Sequence, residues 1–216
     1  MKGRLDAWEL AGDPTVMDAA YLLGDHIALA MAPNFVWGPV GPMPRECGWA
    51  LRAITQLAIA TQDPVYRKGA DLLALKAQST CNPPSGGIWP QTMLRLAKTR
   101  QNFTLGNTVF IVAVALQAQC DYYMLNKDEK TLRCIRDIAK WLSCAFDPDD
   151  GCGFAYDLDR RGNKLNYSIV TLNNIIAPPL AQAAKLLNDP ELAKIADRAM
   201  ATVLVRRPAI SGKFFS

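Results

Sequence analysis

The stretch Met43–Tyr66 reads MPRECGWALRAITQLAIATQDPVY. A proline-bounded loop end passes into an apolar helix over 45–61. Its apolar positions, Trp49, Leu51, Ile54, Leu57, Ala58 and Ile59, run nearly all the way round, the pattern of a helix buried on most sides. Gln62-Asp63-Pro64 then turns the chain tightly into a second helix over 65–78. The unit is a helical hairpin, one buried helix followed by one outer helix.

The same unit recurs on either side. Upstream, Gly12-Asp13-Pro14 is a turn with Asp13 as N-cap and Pro14 at the first helical position. It opens a helix over 14–31 with Val16, Ala20, Leu23, Ile27 and Met31 on one face. Downstream, a helix is expected over 105–125. Its start, TVFIVAVAL, has the β-branched content of a strand, but the apolar pattern continues through Ala118, Tyr122 and Leu125, longer than a strand. Its partner over 128–145 carries Leu132, Ile135, Ile138, Ala139 and Leu142 on one face and Lys130, Arg133, Asp137 and Lys140 on the other. A last pair spans 168–187 and 191–205. Pro178 and Pro179 sit inside the first of these and leave the carbonyls of Asn174 and Ile175 without helical donors, so a kink or restart is expected there.

The turn aspartates Asp13, Asp63, Asp128 and Asp189 lie about 50 to 65 residues apart, a repeat spacing. The expected fold is all-α, a single domain over 1–216 built of about three and a half antiparallel helical hairpins. Short turns join the helices at one end. Long loops over 33–44, 79–102 and 146–167 join them at the other, where function is expected. A short helix or turn is expected over 93–98. A hairpin around Arg161-Gly162-Asn163 is expected to pair 154–157 with 165–167. The helix over 168–187 has chain neighbours on one side only. Its flank, Ile169, Ile175, Ile176, Leu180 and Leu187, should then stay partly open, which predicts self-association or additional hairpins from a longer chain.

Composition narrows the function classes. The chain has 216 residues, 50% apolar and 20% charged, with net charge +4 and no basic run, so neither nucleic-acid binding nor disorder is supported. The longest apolar run, Val109 to Leu116, is far short of a membrane span of about 18 residues. The N-terminus MKGRLDAWEL lacks a signal-peptide core, so the chain as written is expected to stay in the cytoplasm. Cys47, Cys81, Cys120, Cys134, Cys144 and Cys152 contain no C-x-x-C pair, and His26 is the only histidine, so no metal site and no cofactor are expected. The cysteines read as small buried hydrophobes, the alternative being a Cys144–Cys152 loop staple.

Four motifs carry a resemblance: Arg45-Glu46-Cys47-Gly48-Trp49-Ala50-Leu51-Arg52, the turn Asp63-Pro64-Val65-Tyr66, the loop Gly86-Gly87-Ile88-Trp89, and Gly151-Cys152-Gly153-Phe154-Ala155-Tyr156. Together they resemble the six-hairpin (α/α) toroids, a group that includes glycoside hydrolases and polysaccharide lyases, with the nearest likeness to the toroid domain of rhamnogalacturonan exolyase-like proteins. The resemblance implies a partial (α/α)6 toroid and a carbohydrate partner. It also implies cleavage of a glycosidic bond in an oligo- or polysaccharide; the alternative is a non-catalytic scaffold or glycan-binding module derived from such an enzyme. Two departures stand out. The chain supplies fewer than six hairpins, and Val40-Gly41-Pro42-Met43-Pro44 lacks the histidine that lyase-like members carry there.

Glu46, Asp150 and Tyr156 stand as candidate catalytic groups. Glu46, at a helix start, reads either as a general acid or base or as a complement to the helix dipole. Asp147, Asp149, Asp150, Asp157 and Asp159 form an acidic cluster that reads as a solvated turn rather than a calcium site. A paired-carboxylate mechanism requires one of them to face Glu46 across a cleft. Trp37, Arg45, Trp89, Asn107, Asn166 and Tyr167 are the candidate sugar-binding residues. Arg45 is expected to grip a carboxylate or hydroxyl of a uronic-acid-like sugar with two prongs. Trp37 and Trp89 read equally as stacking platforms or loop anchors, and Trp49 reads as packing.

Overall fold

The computed structural model describes residues 14–30, 44–79, 81–82, 87–88, 92–95, 103–149, 153–159, 161–166 and 168–206. They form seven α-helices: α1 (Pro14–Ala30), α2 (Pro44–Thr61), α3 (Pro64–Ser79), α4 (Val109–Asn126), α5 (Glu129–Ser143), α6 (Asn173–Leu187) and α7 (Pro190–Arg206). Asp13 lies outside the described residues; α1 begins at Pro14, as the sequence predicts.

Three hairpins, α2–α3, α4–α5 and α6–α7, share one turn. The residue after each first helix, Gln62, Lys127 or Asn188, is left-handed, with φ of 57°, 57° and 53°. The N–H groups of Gln62 and Lys127 bond back to Ala58 O at 3.0 Å and Tyr123 O at 2.9 Å, and that of Asn188 to Ala184 O, satisfying carbonyls at the helix end. The next residue is the aspartate that caps the second helix. Asp63 Oδ1 accepts from Val65 N at 2.8 Å, Asp128 Oδ1 from Thr131 N at 2.5 Å, and Asp189 Oδ1 from Leu192 N at 3.0 Å.

Helices α2, α4 and α6 are the inner row, α4 packing between α2 and α6, while α3, α5 and α7 lie outside their partners. The chain thus forms a partial (α/α)6 toroid. Helix α4 is apolar all round because it is buried on both flanks: Val112, Ala113 and Leu116 join the core of α5–α7, while Ala118 and Tyr122 join that of α1–α3. Helix α5 has a single apolar face, and Ile135, Ile138 and Leu142 fill the first core with Trp141.

The long connections are not structureless. Strands β1 (Cys81–Asn82) and β2 (Gly87–Ile88) pair; β3 (Thr92–Arg95), β4 (Phe103–Thr108) and β7 (Asp157–Asp159) make one antiparallel sheet; β5 (Phe146–Asp147), β6 (Gly153–Ala155) and β8 (Ser168–Ile169) make another. Residues 105–108 are therefore strand, and α4 starts four residues later than the sequence suggests. Residues 92–95 are strand instead of helix, because β4 pairs along all four of them. A turn does close around Gly162, with Asp159 N donating to Asn163 O at 2.9 Å, but it joins Asp157–Asp159 to 163–165; residues 153–155 pair with β5 and β8 and not with 165–167. The second and third long connections meet at the start of α4 through β4 and β7.

Helix α6 also starts later than expected, after β8 and a 3-10 turn at Val170–Leu172. It runs unbroken through Pro178 and Pro179. The two missing donors fall in its second turn, with Pro178 exposed and Pro179 buried. The expected open apolar flank is only partly there: Ile175 is exposed and Leu187 half-buried. Ile176 and Leu180 are fully buried against α4, α5 and α7, and the open side presents Asn174, Ile175, Pro178, Ala181 and Lys185. The side chain of Ile169 is outside the described residues. Cys47, Cys120 and Cys134 are buried as expected, but Cys144 is exposed at the end of α5.

Candidate functional site

The first halves of the three inner helices enclose a groove of about 440 Å³. Each helix contributes one stripe. Helix α2 gives Arg45, Trp49 and Arg52; α4 gives Phe110, Ala113, Val114 and Gln117; α6 gives Asn174, Ile175, Pro178 and Pro179. Steps of three and four residues place such side chains on one helix face. Trp49 is 56% exposed and Ile175 42%, large apolar surfaces left open at the groove. The packing role expected for Trp49 is thus corrected.

At the mouth, the Arg45 guanidinium lies 5.2 Å from the Trp49 ring centre, within cation–π range. Its Nε and Nη2 both donate to Glu46 Oε1, at 3.1 and 2.9 Å. The two-pronged grip expected for a sugar carboxylate is therefore already turned on Glu46. Glu46 Oε2 is buried without a hydrogen-bond partner among the described residues.

Deeper in, Arg52 Nε donates to Asp121 Oδ2 at 2.8 Å. Gln117 Nε2 donates to Asp121 Oδ1 at 2.9 Å and to Gln182 Oε1. One polar chain thus ties all three inner helices along the groove. A second cavity of about 480 Å³, at the opposite end between α6 and α7, is lined by turn residues such as Asn188 and Asp189 that already cap those helices.

Beside the groove, β7 carries Asp157. Burial pushes its carboxyl above the usual range, partly offset by hydrogen bonds from Thr108 Oγ1 at 2.8 Å and from Asn166 Nδ2. Asp157 is not the solvated turn residue its acidic cluster suggested. Its neighbours are spent on local structure: Asp147 pairs with Lys164 at 2.7 Å, and Asp159 accepts from the backbone N–H groups of Arg161 and Asn163, each at 2.8 Å. Among the described residues, no group of three or more His, Cys, Asp and Glu side chains is placed to hold a metal. Nor is any helix among them long and apolar enough to cross a membrane.

Of the sequence-predicted residues, Arg45 lines the groove and Glu46 stands beside it. The Tyr156 ring packs 5.8 Å from that of Phe110, a groove residue, and its carbonyl accepts from Val109 N at 2.9 Å. Asn107, buried in β4, pairs with Leu158, and Asn166 holds Asp157; these two support the sheet beside the groove. Trp37, Trp89, Asp150 and Tyr167 lie outside the described residues. Sequence reasoning missed Arg52, Phe110, Gln117, Asp121 and the groove role of Asn174. A signal existed: Asp121 is the sole charge in α4, and Arg52 the sole charge in α2 beyond its first turn.

No known family's sequence pattern matches this chain, and no curated protein matches it in sequence. Solved structures do match it. The fold is that of a partial toroid shared with sugar-processing enzymes. An unsaturated glucuronyl hydrolase from a Bacillus species superimposes with TM-score 0.68 at 19% identity, over 93% of this chain and 58% of its own. An α-1,6-mannanase from a Salegentibacter species, in complex with α-1,6-mannotetrose, gives 0.68 at 17%, over 93% and 57%. A cellobiose 2-epimerase from Bacillus thermoamylovorans gives 0.70 at 12%, over 91% and 56%. The chain spans a little under three fifths of the length of these proteins.

Proposed function

We propose that this chain supplies one wall of the sugar-binding cleft of a carbohydrate-active enzyme that cleaves a glycosidic bond in an oligo- or polysaccharide. The observation that carries the reading is the groove itself. An exposed Trp49 face, flanked by Arg45 and rimmed by Arg52, Gln117 and Asn174, combines an apolar platform with converging polar groups. That is the chemistry a pyranose ring presents, with C–H faces and an equatorial rim of hydroxyls. The structural neighbours, which include a mannanase holding a mannotetraose, support it at the level of fold.

Glu46 is the candidate acid or base for cleavage, because it opens α2 beside the groove and one of its oxygens lacks a partner. A second reading, binding without cleavage, draws on another observation. Glu46, Asp121 and Asp157 each already accept hydrogen bonds from neighbouring side chains. The test is a panel of oligosaccharides followed by saturation-transfer NMR for binding and mass spectrometry for cleavage. Trp49→Ala is expected to weaken binding about tenfold, in line with the loss of an aromatic platform. Glu46→Gln is expected to keep binding and abolish cleavage. Parent-like binding by Trp49→Ala would remove the groove from consideration. Binding without any product in the parent chain would favour the second reading.

A further inference from the structure

We propose that the groove selects a neutral, hydroxyl-rich sugar residue over a uronate or a sulfated one, an inference that rests on the carbohydrate reading above. Both cations in the groove already have an anion of their own. Arg45 donates twice to Glu46 Oε1, and Arg52 donates to Asp121 Oδ2. The site therefore offers strong hydrogen-bonding polarity with no net charge among its described groups. A sugar carboxylate would have to draw a guanidinium away from its partner. For Arg52 that strands Asp121, whose side chain is only 11% exposed, and a nearly buried charge without its partner is costly.

The acceptor side points the same way. Pro178 and Pro179 have no N–H, so the carbonyls of Asn174 and Ile175 have no donor four residues on. All four of these residues line the groove. Oxygens without a helical donor, on residues that line the groove, would accept hydrogen bonds from sugar hydroxyls and repel a carboxylate or sulfate. The prolines thereby set up acceptors that an ordinary helix would consume internally.

The test titrates the full chain with neutral gluco- and manno-oligosaccharides and with uronate-bearing oligosaccharides of equal length, by isothermal calorimetry. Neutral sugars are expected to bind at least about tenfold tighter, with an affinity that holds between about 0.05 and 0.5 M salt, since no net charge is being screened. A uronate preference, or an affinity that collapses with salt, overturns the inference and leaves the carbohydrate reading standing. Failure of every sugar to bind removes both. The variant Pro178→Ala returns an N–H to the Asn174 carbonyl. It is expected to raise the melting temperature and weaken neutral-sugar binding about three- to tenfold, the size of one hydrogen bond. A raised melting temperature with unchanged affinity would eliminate the carbonyls as acceptors.

Discussion

Gly48→Ala tests how the groove is held open. Gly48 is buried in α2, where it meets α4, and a Cβ built there lies 3.0 Å from Ala115 Cα, 3.1 Å from Ala115 N and 3.1 Å from Val114 C. Ordinary Cβ contacts begin at 3.4 Å, so the methyl is about 0.4 Å too close, and to backbone atoms that cannot rotate aside. The two helices must part. Alanine is intrinsically better than glycine in a helix by about 0.5–1 kcal/mol. Overpacking against a rigid neighbour costs about 1–3 kcal/mol, so the net expectation is a loss of about 1–2 kcal/mol. The shift also moves Arg45 and Trp49, on one helix, away from Phe110 and Val114 on the other, so sugar affinity falls with stability. Urea unfolding followed by far-UV circular dichroism reads the effect as a lower midpoint with unchanged slope. A variant as stable as the parent, or more so, would refute the argument, because propensity would then have outweighed a contact too loose to matter.

Two further outcomes follow from the same geometry. Arg52→Met leaves Asp121 without its guanidinium. Because Arg52 is 40% exposed, the loss is discounted to about 1–2 kcal/mol from the figure for a fully buried pair. Urea unfolding should show that loss, and adding Asp121→Asn should recover part of it; a change below about 0.5 kcal/mol would mean that solvent already screens the pair. At high pH, burial and the hydrogen bond to Asp25 at 2.9 Å push the Tyr66 phenol up to about 12. A raised acid group lends stability that is full below its unfolded value near 10 and lost as pH rises through about 12. Tyr66→Phe should therefore flatten the fall of the urea midpoint across that window, with the remaining slope owed to Tyr122, whose phenol is raised by burial and by Asp71, and to the thiols of Cys47 and Cys120, which burial also raises. A variant profile superimposable on the parent's would contradict this.

The helices and hairpin turns can be read directly from the sequence because the free energies that place them are local. An aspartate caps N–H groups two or three residues on, a left-handed residue closes the preceding turn, and an apolar stripe repeats every three or four residues. Those rules hold for Gln62-Asp63, Lys127-Asp128 and Asn188-Asp189. They fail at 105–108, whose strand partners are 92–95 and Asp157–Asp159. The β-branched content at the start of α4 was a correct local hint, but only pairing with distant segments tells where strand ends and helix begins.

The site divides along the same line. Arg45 and Glu46 stand out in sequence as charged residues opening an apolar helix. Arg52 and Asp121 are 69 residues apart, and although each stands out as a lone charge in an apolar helix, nothing local says that the two meet. The packing of α2 against α4 pairs them, and the approach of α6 turns three separate stripes into a groove. Sequence alone determined the repeat of inner and outer helices, because capping and periodicity act within a few residues, while the toroid was implied there only by the resemblance of the motifs. Tertiary structure alone decided that Trp49 is a surface and not core, that Arg52 is paired with Asp121, and that Asn174, Ile175, Pro178 and Pro179 line a cleft. Each of those depends on which helix stands across from which, and that is set by the packing of faces far apart in the chain.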